Sequence, residues 1–378
     1  MIRWLVLLVV PLSLVSPGIT LVLPLLAFPG LFLWFRRRGL PSRLAPAGRW
    51  ALGLYLLLLL LDMLNGNPPG LVVTVVNYLP LIAAVPVALA LSEARLSPRA
   101  LDAAMQATIA LAALAALVET GLLGFDRARG LNLNPNPFAL VVATWAVWQL
   151  ARGLETAAPR PLAAALLGVV PVVLSGSKNG LLALVMGSAV VLGGHAFRGR
   201  WRIALPAMIA AGALVAALMI AQAERLSLSA LPESVEQYLT GTAPGEDSLG
   251  ARLRIWRPAL EAVSEAPLLG HGRAEAKAAV RRHIPPEDGF ARGLAHVHND
   301  YLAHLVAFGV GGLVFILGFL LAVVQAGRRS PLPGMRIFGT AFAAMLASYM
   351  GFDVVFNLDP TMGLWSLALA MMLTDFKT

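Results

Sequence analysis

Cysteine is absent from the 378 residues, and charge is scarce: 13% of the chain is charged, with 20 acidic residues against 29 basic ones. The first absence excludes disulfide frameworks, zinc–thiolate sites and thiol nucleophiles, and it is compatible with exposure to an oxidising exterior. The second excludes an ordinary soluble domain, in which about a quarter of residues carry charge. An internal repeat is also lacking. What is present in quantity is apolar: 58% of residues are hydrophobic and the mean hydropathy is +0.76. That balance predicts an integral membrane protein.

Polar and Pro/Gly breaks divide the chain into twelve apolar segments, at 2–16, 18–35, 50–64, 71–91, 100–120, 137–151, 161–174, 180–197, 203–222, 299–325, 335–351 and 360–374. The expectation is an all-α polytopic protein with about twelve transmembrane helices. The loops after segments 2, 4, 6, 8 and 10 hold fifteen Lys and Arg residues. The short loops after segments 1, 3, 5, 7 and 11 hold three: Arg127, Arg129 and Lys178. By the positive-inside rule the basic loops and both termini are cytoplasmic. The opening "MIRWLVLLVVPLSLVSPG" lacks a small-x-small cleavage site and runs straight into a second apolar segment, so it reads as a first span and not as a signal peptide.

The sequence pI near 10.7 raises nucleic acid as a partner, because a basic excess can be a phosphate footprint. The placement of the charge decides against it: the surplus lies in the short loops and acts as an orientation signal. The long loop, 223–298, is nearly neutral, with nine basic and ten acidic residues. The expected organisation is therefore helices 1–9 in 1–222, a large outer loop at 223–298, and helices 10–12 in 299–378.

Under this topology the polar motifs share the outer face. They are "GFDRARGLNLNPNPFAL", "SGSKNG" and the long loop ending in "HVHND". Within that loop, "LGARLRIWRPALEAVSE" puts Leu249, Leu253, Trp256, Leu260 and Val263 on one stripe at helical spacing, predicting an amphipathic helix that caps a cavity. Arg252 falls at the edge of the stripe, able to reach past it toward the membrane, while Arg254 and Arg257 fall on the solvated side.

"HVHNDYLAH" admits several readings. Asn299 or Asp300 can cap a helix, with the histidines merely bonded in place. His296, Asp300 and His304 share a face if helix extends through them. H-x-H-x-D also occurs in binuclear zinc hydrolases, although those sites sit on sheet loops and need further histidines. A histidine at a membrane boundary can relay protons in a transporter, or act as a general base on a hydroxyl. Asp62, Glu119 and Asp353 are further ionisable suspects near outer span ends.

"HNDYLAHLVAFGVGGLVFIL" resembles the HN-x-Y-L…G-x-x-G-L signature of the O-antigen ligase and O-antigen polymerase superfamily of bacterial membrane glycosyltransferases. "ARLRIWRPALEAVSEAPLLGHG" is similar to that family's R-x-x-x-W…P-L-x-G-x-G segment, "GLNLNPNPFA" to its G-x-x-x-N-P-N-x-x-A element, and "SGSKNG" to its S-x-S-R-x-x turn. The resemblance implies a bacterial inner-membrane enzyme with an outward-facing cavity. Its donor would be a polyprenyl-diphosphate-linked glycan and its acceptor a glycolipid or glycan, with membrane lipids around it. It needs no nucleotide, no cofactor and no obligatory metal. A departing diphosphate then needs cationic partners, and arginine's fork suits phosphate oxygens best.

Residue by residue, the resemblance implies His298 as the base and Arg252 as a diphosphate partner. Lys178 stands where the family usually has arginine, which keeps the charge without the fork, and Arg127 and Arg129 flank the same cavity. His296, Asn299, Asp300, Asn134, Asn136 and Trp256 are supporting or substrate-binding candidates. Plainer roles stay open: Arg252 as a headgroup anchor, Lys178 as a loop lysine, Asn134–Asn136 as an Asx turn, Trp256 as packing. The expected activity is transfer to a lipid A–core sugar or comparable acceptor. Polymerisation of repeat units or protein-directed transfer stand as alternatives within the family, and a flippase or carrier stands as the alternative from another class. A carrier needs polar groups through the bilayer, whereas here the centres of segments 6–9 have almost none.

Overall fold

Five helices are long and apolar enough to cross a membrane: Ala45–Leu64, Pro69–Glu93, Pro98–Leu122, Lys178–Gly199 and Asp300–Arg329. They belong to a computed structural model that describes residues 10–15, 18–37, 44–66, 68–95, 97–130, 134–202, 248–356 and 359–376, with a few isolated positions besides. Among the described residues the chain is all-helical, without a strand. Over half of the first and ninth expected segments, and nearly all of "TGTAPGEDS" before the capping helix, lie outside the described residues.

In chain order the helices are α1 (Gly18–Arg37), α2 (Ala45–Leu64), α3 (Pro68–Glu93), α4 (Pro98–Leu117), α5 (Pro135–Thr156), α6 (Pro159–Leu167), α7 (Val169–Leu174), α8 (Lys178–His195), α9 (Ser248–Glu265), α10 (Ala276–Arg282), α11 (Gly289–Gly293), α12 (Asp300–Arg329), α13 (Met335–Met350) and α14 (Asp359–Leu373). Three starts follow directly from sequence: Asn134, Ser177 and Asn299 each accept a backbone N–H of the first turn, from Asn136, Gly180 and Leu302. These are ordinary side-chain N-caps. All three lie at the same end of the bundle.

That end is covered by α9, α10 and α11, which pack around their own small core of Ile255, Ala259, Ala262, Val280 and Ile284. The buried face of α9 is Arg252, Leu253, Ile255, Ala259 and Ala262, while Leu260 is 51% exposed. The expected stripe is thus rotated, because α9 packs its small alanines against α10 and α12 and leaves Leu260 outside. Nor is Arg254 simply solvated: it approaches Asp288 at 3.5 Å.

The cap is joined to the bundle backbone to backbone. At Gly309, with φ +58° and ψ −147°, α12 breaks its helical course, and the carbonyls of Val306 and Ala307 accept from His271 and Gly272 at 2.8 and 2.9 Å. A Cβ on Gly270 would sit 2.5 Å from the backbone of Ala307 and Phe308, and one on Gly309 would sit 2.4 Å from that of Leu268. Both positions have positive φ, so glycine is required twice over.

Within the bundle, where lipid is as apolar as leucine, close approach and ring packing hold the helices together. Gly327 and Gly339 bring α12 and α13 into near backbone contact. Phe315, Phe319, Phe356 and Trp365 stack edge to face at 5.0–5.2 Å, wholly buried. His304 belongs to this column: its ring lies parallel to Phe315 at 5.5 Å and its Nε2 bonds the Tyr78 hydroxyl at 2.8 Å.

Candidate functional site

The loop Gly351–Phe352–Asp353, directly after α13, gathers side chains from five separate stretches of sequence. Asn299, besides capping α12, donates to the Gly351 carbonyl at 3.0 Å. The Phe352 carbonyl accepts from Arg252 Nε at 2.6 Å and from Asn179 Nδ2 at 3.2 Å. Asp353, 3% exposed at the side chain, faces His298 Nδ1 at 3.3 Å and His296 Nε2 at 3.8 Å with the same oxygen. Its second oxygen accepts from Asn136 Nδ2 at 2.8 Å and from the Tyr349 hydroxyl at 3.5 Å. Asn136 in turn accepts from Arg127 at 3.2 Å, and Arg127 Nε donates to the Ser175 carbonyl at 2.8 Å.

His296 does not share a helical face with Asp300, because helix begins only at Asp300. His298 sits before it at φ +53°, a left-handed conformation uncommon for a non-glycine residue and costing of order 1–3 kcal/mol, of the kind found at functional sites. That turn brings the His296 and His298 rings to 4.0 Å between centroids. Asp300 lies apart: fully buried, it accepts from the backbone N–H of Val355 and so shapes the loop that carries Asp353.

Electrostatics follow from this packing. Burial alone would raise the Asp353 carboxyl; the hydrogen bonds from His296 and His298 outweigh it and hold the group well below the usual carboxylate range. Arg127 is pressed below its ordinary value, first by partial desolvation and then by the nearby charge of Arg252. Two guanidiniums thus stand near one another beside the histidine pair.

The other expected residues divide. Lys178 opens α8 half-buried, next in sequence to Asn179. Trp256 donates to the Val297 carbonyl at 3.0 Å and leans on Phe352 at 6.0 Å between ring centroids, which is a packing role. Asn134 is a cap, as the turn reading has it. Arg129 is elsewhere: its guanidinium lies over Phe125 at 4.5 Å while its N–H and that of Gly130 go to Glu119. Asp62 accepts from Thr74 and from the N–H of Arg273. Of the three acids near span ends only Asp353 joins the site, and nothing in the sequence distinguishes it from the other two.

His296, His298 and Asp353 also place three ligand atoms within 4.8 Å of one another, a spacing a metal ion can use. The carboxylate is Asp353, not the Asp300 of the H-x-H-x-D string.

Comparison with known proteins now bears on the geometry. Residues 163–317 match the family described as O-antigen ligase. Over that stretch the chain is similar to the O-antigen ligase family. The O-antigen ligase match covers less than half of the 378 residues, and it contains Lys178, Arg252, His296, His298, Asn299 and Asp300. Arg127, Asn136 and Asp353 lie outside it and reach the same site through the fold. No curated protein matches the chain by sequence.

Proposed function

We propose that the chain transfers a polyprenyl-diphosphate-linked glycan to an acceptor hydroxyl, in the manner of a ligase. One observation carries this reading: a histidine backed by a buried carboxylate lies beside two arginines, all tied to one three-residue loop. With Nδ1 turned to Asp353, His298 keeps Nε2 for the substrate. The acceptor O–H gives its proton to that nitrogen as its oxygen bonds the anomeric carbon. The bond from that carbon to the diphosphate oxygen breaks, and the pair of electrons leaves with the diphosphate. Arg252, Arg127 and Lys178 take up the charge that develops there, Arg with the better fork. Asp353 holds the ring's tautomer and stabilises the imidazolium that forms, as in other carboxylate–histidine pairs. His296 and Asn136 position Asp353.

The proposal extends to placement. About twelve spans, both termini in the cytoplasm of a bacterial inner membrane, and a site on the periplasmic side fit a bundle whose basic loops gather opposite the cap. The division at 1–222, 223–298 and 299–378 fits a cap inserted between two helical parts.

A reconstituted reaction tests the reading. Purified protein receives a polyprenyl-diphosphate glycan with and without a lipid A–core acceptor, with chelator in parallel. Acceptor-dependent attachment that survives chelator is expected, and His298→Ala should abolish it. A ladder of lengthened carrier-linked glycan formed without acceptor makes the protein a polymerase instead. If His298→Ala retains full transfer, the base is another group. Glycolipid movement across the bilayer without any transfer makes it a carrier.

A further inference from the structure

A cavity of about 360 Å³, with His296 in its lining and Asp353 outside it, lies between the cap and the ends of α3 and α12. Its volume falls within the ~300–1,000 Å³ common for small-molecule sites. Arg252, Arg127 and Lys178 do not line it, so it is separate from the proposed diphosphate cradle.

The lining is of two kinds. Ile255, Val280, Ile284 and Val306 form apolar walls, while Arg273, Lys277 and Arg281 stand in a row at four-residue spacing, and no acidic residue is among the described residues that line it. The backbone N–H of Arg273 donates to the buried Asp62 at 2.8 Å. Arg281 donates to the Arg292 carbonyl, a neutral acceptor, at 2.9 Å. Lys277 and Arg281 therefore set a positive sign at the mouth.

Two further features fix how a ligand enters and where it leads. Val73 of α3 lines the cavity, and it is 41% exposed beside Val72 and Val76, exposed further still. This is the apolar flank that a membrane-crossing helix turns to lipid, so the cavity opens toward the bilayer. His296 is part of the lining, and its ring is 4.0 Å from that of His298.

We propose that this cavity is the acceptor subsite, taking an anionic amphiphile: a membrane-anchored glycolipid whose phosphate lies on Lys277 and Arg281 and whose sugar hydroxyl passes His296 to reach His298. The inference rests on the transferase reading for the role of its ligand, but not for the ligand's chemistry. Phosphate selects the mouth by charge, the walls take the start of the lipid portion, and the donor occupies the opposite face of the histidine pair. Two substrates then meet at His298 from two sides.

Binding is measured first on full-length protein in zwitterionic nanodiscs, with a synthetic monophosphorylated glucosamine lipid and its dephosphorylated counterpart as probes. The phosphorylated probe should bind at least about tenfold tighter. The double variant Lys277→Glu/Arg281→Glu should erase that preference and leave the dephosphorylated probe unaffected. Lys277→Gln/Arg281→Gln should act in the same direction by a smaller factor, which guards against a folding defect. Arg257→Glu, on the exposed side of α9, should change neither.

Equal binding of the two probes overturns the proposal. So does displacement by phosphatidylglycerol at equal concentration, which makes the cavity a headgroup site, or by inorganic phosphate, which makes it a simple anion site. In the transfer assay the same double variant should raise the acceptor KM about tenfold with donor KM unchanged; a rise in donor KM overturns the assignment. Because the binding arm needs no turnover, it still reads the cavity if the transferase reading itself fails.

Discussion

Helix α5 carries a polar anchor at each end, and the two ends treat arginine differently. At its C-terminal end Arg152, 7% exposed, grips Asp102 with NH2 at 2.8 Å and Nε at 3.3 Å to both oxygens, and donates to the Pro333 carbonyl at 3.1 Å. Its charge is answered by a carboxylate. Sixteen residues back, about 24 Å along the axis, Asn136 meets Arg127, which donates to the neutral Ser175 carbonyl and to the Asn136 amide oxygen. The carboxylate available there, Asp353, is turned to histidines instead. A cation balanced by a carboxylate stabilises a structure, whereas one left on neutral acceptors stays available to a substrate anion. The same residue type thus serves the fold at one end and, in the proposed reaction, the diphosphate at the other.

The comparison breaks most visibly at its two carboxylates. Asp353→Asn should lower transfer by about 10²–10⁴-fold, since the amide can hold the wrong tautomer of His298 and cannot stabilise its cation. Asp102→Asn should leave kcat within about twofold. Steady-state transfer by both variants decides, and equal losses would erase the distinction. Asp353 carries a pH consequence as well. A carboxyl held below its ordinary range contributes stability that is present above about pH 4 and lost as pH falls below it. The Asn variant should therefore show a flatter acid limb in a stability profile.

Next in size is Arg152→Gln, which removes one partner of a nearly buried pair and should cost roughly 3 kcal/mol while sparing transfer in the protein that remains folded. Arg127→Gln should do the reverse: a thermal midpoint close to that of the parent, and a weakened donor KM. Arg129→Gln, whose side chain lies over Phe125, should leave both parameters alone. Thermal unfolding in detergent alongside donor titration separates the three, and a donor effect from Arg129 equal to that from Arg127 would contradict the placement of the site.

Much of this was legible in the sequence, and what was not has a physical reason. The helices announced themselves by apolar length, and Asn299 and Ser177 by their capping chemistry. His298 and Arg252 were found by resemblance to a family, and their neighbourhood agrees with their being together. Asp353 was visible as an acid at a span end but indistinguishable from Asp62 and Glu119, because its partners come from α5, α9 and the 296–298 turn, far away along the chain. Arg129 looked equivalent to Arg127 because two residues of loop say nothing about direction. The face that His296 and Asp300 would share in a helix does not form, because the chain is left-handed at His298 and extended at Asn299 before helix begins, which periodicity cannot register.

A smaller effect tests the joint between the two regions. Gly270→Ala places a methyl group against the Ala307–Phe308 backbone at a positive φ, so the cap must shift. A cost of about 2 kcal/mol is expected, read as an earlier proteolytic release of the cap at unchanged detergent stability of the bundle. If cap and bundle instead melt together at the parent temperature, Gly270 does not hold the joint.

The smallest effect concerns the rotation of α9. A stripe running through Leu249, Leu253, Trp256, Leu260 and Val263 makes Leu260 a core residue, and cutting it to serine would then cost about 2–5 kcal/mol. In the folded protein Leu260 is half exposed, with Ala259 and Ala262 buried on either side. Leu260→Ser should therefore change stability by no more than about 0.5 kcal/mol. Ala259→Leu, which forces bulk against α10 and α12, should cost about 1–3 kcal/mol. Thermal melts of the pair fix which face of α9 meets the cap core, and with it the direction in which Arg252 reaches the Phe352 carbonyl. A large loss at Leu260 with none at Ala259 would turn the helix back and carry Arg252 away from the site.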